Sequence, residues 1–193
     1  MTAHEDMTRS SQKPRPIVLG AYNPTWPDKF RAEANAIRVA LPEVLEDIHH
    51  IGSTAIPGIV AKPVIDLLLV VTELEQLDAC ASSLVDLGYQ SMGEFGIPGR
   101  RYFRRDTADG VRTRHVHAFP VGSPQIQRHL AFCDFLRAHP EEAKRYGALK
   151  LDLAKRFSPD VARYTDGKSA FIRDIEERAA QSQASSSHPL APR

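Results

Sequence analysis

Residues 50–71 include side chains whose types and spacing are those of a phosphate site. A glycine and two small hydroxyl residues, Gly52, Ser53 and Thr54, come shortly after His50. Because glycine has no side chain, backbone N–H groups there can approach a ligand closely, and the hydroxyls can bond to phosphate oxygens. We therefore expect His50, Gly52, Ser53 and Thr54 to bind phosphate. A simple strand-to-turn junction would show the same residues and is the alternative.

An apolar run, Val64–Val71, follows Lys62 and contains one acid, Asp66. A short apolar run bounded by turn residues predicts a strand that is buried on both faces. A carboxylate inside such a strand needs a cation, a metal ion or hydrogen-bond donors, because burying an unpaired charge is unfavourable. Asp66 is therefore a candidate catalytic residue and metal ligand, and Lys62 a candidate phosphate ligand. A structural ion pair between the two residues is the alternative.

A further set of candidates lies in a predicted hairpin, whose strands are Arg101–Arg105 and Arg112–Phe119. Alternate residues of a strand share a face, so His115 and His117 point the same way. One carboxylate with two imidazoles is a ligand set for a divalent transition metal. We predict that Asp66, His115 and His117 are catalytic, and that Asp66 and His117 bind the metal. Phosphate binding or simple packing by the histidines are the alternatives.

Two tyrosine–lysine pairs repeat one spacing in the helical last third of the chain, Tyr146 with Lys150 and Tyr164 with Lys168. Residues four apart share one face of a helix. A lysine on a helix that packs over the sheet can reach a phosphate as a point charge, so Lys150 and Lys168 are candidate phosphate ligands. The alternative is that each lysine extends from the rim into solvent while its tyrosine fills the core.

Together these motifs resemble the GrpB family, which belongs to the nucleotidyltransferase-like fold superfamily. The resemblance runs from about Tyr22 to Ala179. It also rests on segments outside the sites above, namely Tyr22-Asn23-Pro24 with Trp26, Phe132 to Leu136 and Phe171-Ile172. The resemblance implies a nucleoside triphosphate substrate and a divalent metal, Mg²⁺ or Mn²⁺ first and Zn²⁺ as a further candidate. It also implies that Arg101, at the start of the hairpin, binds phosphate.

The sequence departs from the superfamily pattern at one position. That pattern places a second carboxylate two residues after the first, where this chain has Leu68. A neighbouring strand usually supplies a third acid, and this chain offers His115 and His117 there instead. Position 68 therefore separates a two-metal transferase, which needs an acid there, from a module that only binds a nucleotide.

The predicted elements favour the α+β class, with a small mixed sheet, helices on one side and a C-terminal helical cap. Residues 17–180 are expected to form one domain between disordered tails at 1–16 and 181–193. A helix is predicted over residues 74–85 and a short strand over residues 89–92. The segment 93–99 is rich in glycine and predicts a loop, and residues 93–100 are expected to be mobile without ligand and to close over the pocket.

Composition narrows the classes of partner. The formal net charge is +1 over 193 residues, which argues against nucleic acid or an anionic membrane surface as a partner. No apolar run is long enough for a bilayer, and Cys80 and Cys133 do not form a disulfide framework. We therefore expect a cytoplasmic protein whose partner is a nucleotide or another phosphate-bearing small molecule. The oligomeric state does not follow from the sequence.

Three functional hypotheses remain at this point. The first is a nucleotide-dependent transferase that acts on a small-molecule acceptor. The second is a non-catalytic module that keeps the nucleotide or phosphate pocket without turnover. The third is a metal-dependent phosphoesterase built on Asp66, His115 and His117.

Overall fold

A five-stranded mixed sheet forms the centre of the structure, a computed structural model that describes residues 16–186, with side chains described to residue 182. In chain order the strands are β1 (Leu45–Ile51), β2 (Ile65–Val71), β3 (Gln90–Ser91), β4 (Arg101–Asp106) and β5 (Arg112–Pro120). Their spatial order is β1-β2-β5-β4-β3. β2 and β5 are parallel and the other neighbouring pairs are antiparallel, so the carboxylate strand and the histidine strand lie side by side.

Seven α-helices in the described part of the chain cover the sheet. They are α1 (Trp26–Ala40), α2 (Leu74–Ala79), α3 (Ala81–Asp86), α4 (Pro124–Ala138), α5 (Pro140–Phe157), α6 (Val161–Asp166) and α7 (Ser169–Ser186). α1, α2 and α3 pack on one face of the sheet, whereas α4, α5 and α7 pack on the other face. None of these helices is long and apolar enough to cross a membrane.

The alternation of side chains along β2 assigns its residues to the two faces. Ile65, Leu67 and Leu69 are buried against α1, α2 and α3. Leu68 is fully buried in the core under the C-terminal helices, on the same face as Asp66. The prediction of a strand that is buried on both faces is confirmed, and Asp66 is the one charged side chain within it.

The α+β class, the mixed sheet and the C-terminal helical cap are confirmed, but three boundaries differ from the prediction. The helix predicted over residues 74–85 is two short helices that meet at Cys80, and the strand predicted over residues 89–92 has only two residues. α7 continues to Ser186, beyond the predicted start of the tail at residue 181. Both cysteines are free. Of the predicted tails at 1–16 and 181–193, residues 1–15 and 187–193 lie outside the described residues.

Candidate functional site

The pairing of β2 with β5 brings the predicted carboxylate and histidines together. Asp66 lies opposite His115 in the ladder, and Leu68 lies opposite His117. Nδ1 of His115 is 2.8 Å from Oδ1 of Asp66. One ligand atom from each of Asp66, His115 and His117 lies within 4.8 Å of the others, which is close enough for a single metal ion. The three residues predicted as catalytic therefore form one cluster.

Arginines fix the hydrogen positions on both imidazoles. Arg112 lies 3.3 Å from Nε2 of His115 and can only donate, so Nε2 accepts and Nδ1 donates to Asp66. Arg100 donates in the same way to Nδ1 of His117, at 3.3 Å. Burial, opposed in part by Asp66, lowers the pKa of His117 to about 3, so this imidazole is neutral at physiological pH. The cluster therefore contains a neutral His117 and an anionic Asp66.

Asp66 is a carboxylate with partners on several sides. Burial by itself would raise the pKa of its carboxyl group. The hydrogen bond from His115 and the positive charges around the site, Lys168 among them, outweigh burial and hold the pKa below its ordinary value. The side chain is 23% exposed, so it still faces the cavity described below. Asp66 is therefore ionised and accessible.

Gly52 packs directly against the Asp66 side chain. Its φ of +70° is in the left-handed region that favours glycine. A Cβ placed on Gly52 would lie 2.9 Å from Cγ of Asp66 and would overlap Oδ2. The Asp66 side chain and the backbone conformation at position 52 therefore both require a glycine there.

Asp66 opens into a cavity with a volume of about 580 Å³, which is in the size range of small-molecule sites. The cationic side chains that line it are Lys62, Arg100, Arg112, Lys150 and Lys168. Among the lining residues, all within the described part of the chain, Asp66 is the single acid. Arg112 is already paired with Asp106, which does not line the cavity. The other four cationic side chains face Asp66 as the one acid, so the cavity suits an anionic ligand with several charges.

The predicted tyrosine–lysine pairs both form and both line or border this cavity. Nζ of Lys150 lies 4.7 Å from the centre of the Tyr146 ring and donates to the carbonyl of Val60. Nζ of Lys168 lies 4.6 Å from the Tyr164 ring, and Nζ of Lys62 lies 4.7 Å from the same ring.

Crowding and burial weaken the charges of these lysines in the free protein. Burial, reinforced by Lys168, lowers the pKa of Lys150 to about 7. Burial and the charge of Lys62 lower the pKa of Lys168 to about 8, against the opposing pull of Asp66. Burial also lowers the pKa of Lys62. A bound anion would supply the counter-charge that these ammonium groups lack.

Two predicted phosphate ligands, His50 and Arg101, lie on the opposite face of the sheet. His50 stacks on Phe30 of α1 at 4.9 Å, and burial lowers the pKa of His50 to about 4. Arg101 donates two hydrogen bonds to the carboxylate of Asp78 in α2, at 2.7 and 2.6 Å. The reason is strand alternation, because each residue is one position out of phase with the residues that face the cavity. Neither residue lines the cavity, and phosphate binding by either one stays a prediction.

The small hydroxyl residues of the predicted phosphate motif, Ser53 and Thr54, lie at the edge of the cavity. Ser53–Ala55 is a short 3-10 helix, and both Ser53 and Thr54 border the cavity. However, Thr54 is buried, and its hydroxyl donates to the carbonyl of Val64 at 3.2 Å and contacts Nε2 of His50 at 3.0 Å. The Thr54 hydroxyl therefore bonds within the turn, and the Ser53 side chain hydrogen-bonds with Tyr146 at the edge of the cavity.

Arg100 and Arg112 are site residues that the sequence argument missed. Arg100 is in phase with Tyr102 along the strand, and this alternation alone would have identified it. Arg112 is out of phase with His115, but the register shifts between Arg105 and Asp106, and this irregularity directs Arg112 towards the cavity. Simple alternation does not predict such a bulge.

The family follows from comparison with known sequences. The family model described as GrpB protein matches residues 16–178. The chain therefore belongs to the GrpB family, as the motifs predicted.

Named relatives and solved structures agree with this assignment. UPF0157 protein YqkA of Bacillus subtilis is 41% identical over 166 residues, which is 86% of this chain and 48% of YqkA. The crystal structure of the conserved protein GrpB from Enterococcus faecalis has a TM-score of 0.81 and 40% identity, covering 86% of this chain and 99% of that chain. This chain thus spans about half the length of YqkA and nearly all of the solved GrpB structure.

More distant similarities extend to two enzymes. The dephospho-CoA kinase of Mycobacterium tuberculosis is 29% identical over 187 residues, or 85% of this chain and 46% of the kinase. The Cid1 poly(U) polymerase, solved as a mutant bound to MgATP, has a TM-score of 0.48 and 12% identity over 72% of this chain and 44% of its own.

Proposed function

We propose that this protein binds a nucleoside triphosphate in the cavity at Asp66 and transfers a phosphoryl or nucleotidyl group to a small-molecule acceptor, with release of the nucleoside diphosphate or of pyrophosphate, respectively. The observation that supports this most strongly is the cavity itself, where five cationic side chains surround one ionised carboxylate. A triphosphate provides the negative charge that such a lining needs. The similarity to a protein named dephospho-CoA kinase is consistent with a nucleotide ligand.

The cationic residues would act on the phosphates. Phosphoryl transfer is catalysed mainly by positioning and by fixed positive charge, since charge builds up on the phosphate oxygens. Arg100 and Arg112 carry guanidinium groups that suit paired phosphate oxygens, and the lysines act as point charges. Lys62 and Lys168 are held by one Tyr164 ring, so both ammonium groups are kept on the same side of the cavity.

The donor atoms in the cluster fit a divalent metal. Asp66 and His117 would hold it, and a divalent cation bound there would stabilise negative charge on the transferred group. One carboxylate with imidazole suits Mn²⁺ or Zn²⁺ better than Mg²⁺, which prefers oxygen ligands. For His117 to bind through Nδ1, Arg100 has to give up its present hydrogen bond.

His115 is placed to accept the proton of an acceptor hydroxyl. Its Nδ1–H donates to Asp66, which fixes the tautomer and leaves Nε2 as the basic atom. Nε2 now accepts from Arg112 at 3.3 Å, a distance that indicates a weak bond. Movement of Arg112 towards a phosphate would expose this lone pair to the acceptor.

Leu68 favours the second candidate, a module that binds a nucleotide without turnover. Its side chain is fully buried in the core under the C-terminal helices and lies opposite His117 in the ladder. A second strand carboxylate is therefore absent from the position where a two-metal transferase would need it. Binding and transfer have to be tested separately.

The test combines binding with product analysis on the full chain. Thermal shifts with each nucleoside triphosphate and with Mg²⁺, Mn²⁺ or Zn²⁺ identify the ligand, since a ligand at ~100 times its Kd stabilises by ~2.7 kcal/mol. Phosphorus NMR of the protein with that ligand and a panel of hydroxyl and amine metabolites then detects transfer. Stabilisation without any new phosphorus signal would show that the protein is a binding module. Release of inorganic phosphate alone would show that it is a phosphoesterase. Absence of stabilisation by every triphosphate would overturn the proposal.

A further inference from the structure

One exposed aromatic residue, Phe95, stands at the mouth of the cavity. It lines the cavity and is 59% exposed, which is unusual for a phenylalanine. Among the described residues other than glycine it alone has a positive φ, at 45°. A bulky side chain in this backbone region is strained, and such strain is retained where the surrounding structure imposes it.

Arg100 holds the Phe95 backbone in place. Its guanidinium donates to the carbonyl of Phe95 at 2.8 Å and to the carbonyl of Glu94 at 3.1 and 3.2 Å. The carboxylate of Glu94 accepts from the backbone N–H of Gly99 at 2.7 Å, which closes the loop on itself. Arg100 is buried and also contacts His117. It therefore connects the Phe95 backbone to the cluster of Asp66, His115 and His117.

The neighbours of Phe95 leave one ring face for a ligand. One face stacks on Tyr102, with ring centres 5.1 Å apart and planes inclined by 22°. Val161 of α6 also lines the cavity and is 50% exposed. The cavity thus has a cationic interior and apolar side chains at the level of Phe95 and Val161.

We propose that Phe95 forms a stacking site for a planar aromatic ring of the ligand, whose phosphates occupy the cationic interior. This rests on the proposed function and makes it more specific, because it selects nucleotides over inorganic polyphosphates and sugar phosphates. Phe95 and Val161 have no hydrogen-bonding groups in their side chains, so they favour a flat base without selecting a particular one. Stacking of a base on an aromatic side chain tolerates different bases in the same way in proteins that bind single-stranded nucleic acids.

Calorimetric titration with ATP and with inorganic tripolyphosphate tests this on the full chain. The parent should bind ATP about tenfold more tightly than tripolyphosphate, which corresponds to about 1.4 kcal/mol. Phe95→Ala should lose most of this advantage and bind tripolyphosphate as the parent does. Phe95→Trp should retain it. Val121→Ala, which removes a side chain that is also 59% exposed, should change neither affinity.

The outcomes separate this inference from the proposed function. Equal affinities of the parent for ATP and tripolyphosphate, or parental ATP binding by Phe95→Ala, would overturn the stacking site and leave the anion cavity intact. Failure of the parent to bind either ligand would overturn both. Since Phe95 is exposed, the melting temperature of Phe95→Ala should lie within a few degrees of that of the parent. If Phe95→Ala is much less stable, the ATP and tripolyphosphate affinities of Phe95→Trp test the stacking site instead.

Discussion

Gly52 of the predicted phosphate motif is in close contact with the carboxylate of Asp66. A side chain at position 52 meets both an unfavourable φ of +70° and the carboxylate of Asp66. Gly58 has a similar φ of +80° but has no atom within 4 Å of an added Cβ. These two glycines therefore separate backbone strain from the steric contact.

We expect Gly58→Ala to lower the free energy of unfolding by about 1 kcal/mol, the strain of alanine in this backbone region. Gly52→Ala should lose about 1–3 kcal/mol more, because Asp66 has to move. Urea unfolding of both variants measures the difference. Equal losses would show that the Asp66 carboxylate moves away without penalty.

Replacement of Asp66 by asparagine tests the charge of that residue. From the sequence, a carboxylate kept for catalysis or metal binding is expected to lower stability in the metal-free protein, so Asp66→Asn is predicted to melt at or above the parent temperature. The structure reverses the sign, because His115 donates to the carboxylate and the pKa of Asp66 lies below its ordinary value. Such a group stabilises the fold above its unfolded pKa, and the stabilisation is lost as the pH falls through the folded pKa.

We therefore expect Asp66→Asn to lower the free energy of unfolding at pH 7 by about 1–2 kcal/mol. The loss relative to the parent should shrink in acid, as the parent carboxylate becomes protonated. Metal-dependent ligand binding, followed by calorimetry, should disappear. A variant as stable as the parent that still binds ligand with metal would remove Asp66 from the site.

At the scale of elements, the segment before β4 is a turn structure held by Arg100. The prediction that residues 93–99 form no regular element is confirmed. Closure of this loop over a ligand stays a prediction. Arg100 is the side chain that joins the loop to β5, through Glu94, Phe95 and His117.

Arg100→Ala should speed hydrogen exchange in residues 93–99 and leave the exchange of β1 and β2 unchanged. The reason is that three hydrogen bonds to loop carbonyls are removed at once. Arg104→Ala is the matched control, since Arg104 bonds to the side chain of Gln90 and not to the loop. Ligand should slow loop exchange in the parent if the loop closes.

Glu33 of α1 ties a helix to the hairpin on the face away from the cavity. It is buried and accepts from Tyr89 at 2.8 Å, from Arg114 at 2.9 Å and from Arg105. Arg105 and Arg114 of the hairpin therefore have a structural role on this face.

Glu33→Ala should lower the free energy of unfolding by about 3–5 kcal/mol, because two arginines and a tyrosine lose their shared partner. ATP affinity should stay at the parental value in the fraction that remains folded, since the network is on the other face of the sheet. Chemical denaturation and calorimetry measure the two effects. A changed ATP affinity would contradict the separation of scaffold and site.

Elements with a strong local pattern were predictable from the sequence. The apolar run around Asp66 and the alternation of His115 with His117 determine β2 and β5, and the four-residue spacing places Lys150 beside Tyr146. The sequence did not predict on which face of the sheet some residues lie, because tertiary packing decides this. The glycine-hydroxyl motif predicts His50 and the family resemblance predicts Arg101 as phosphate ligands, yet both lie on the face of the sheet away from the cavity.

For the whole molecule, the cavity lysines make stability and binding respond to pH in opposite ways. The pKa of Lys150 is lowered to about 7 and that of Lys168 to about 8, from 10.5. Between these values and 10.5 the unfolded chain binds more protons than the folded chain, so stability rises with pH. A bound phosphate favours the charged amines, so affinity falls over the same range.

We expect the free protein to melt at a higher temperature at pH 9 than at pH 7, and its ATP affinity to be weaker at pH 9. Lys168→Met removes one titrating amine and should flatten both trends. Lys144→Met, which alters an exposed lysine on α5, should leave them unchanged. Parallel trends of stability and affinity would contradict the assignment of these amines to the ligand.

The parallel pairing of β2 with β5 has a consequence for the order in which the molecule assembles. Asp66 and His115 are 49 positions apart in the chain, and the hairpin partner β4 lies on the far side of β5. Local turns can form β4–β5 early, whereas the central pair needs closure of a long intervening segment. The cluster of Asp66, His115 and His117 therefore forms only at the slow, non-local step of folding. If the proposed function is correct, metal or nucleotide can bind at this cluster only after β5 has been synthesised and has docked against β2.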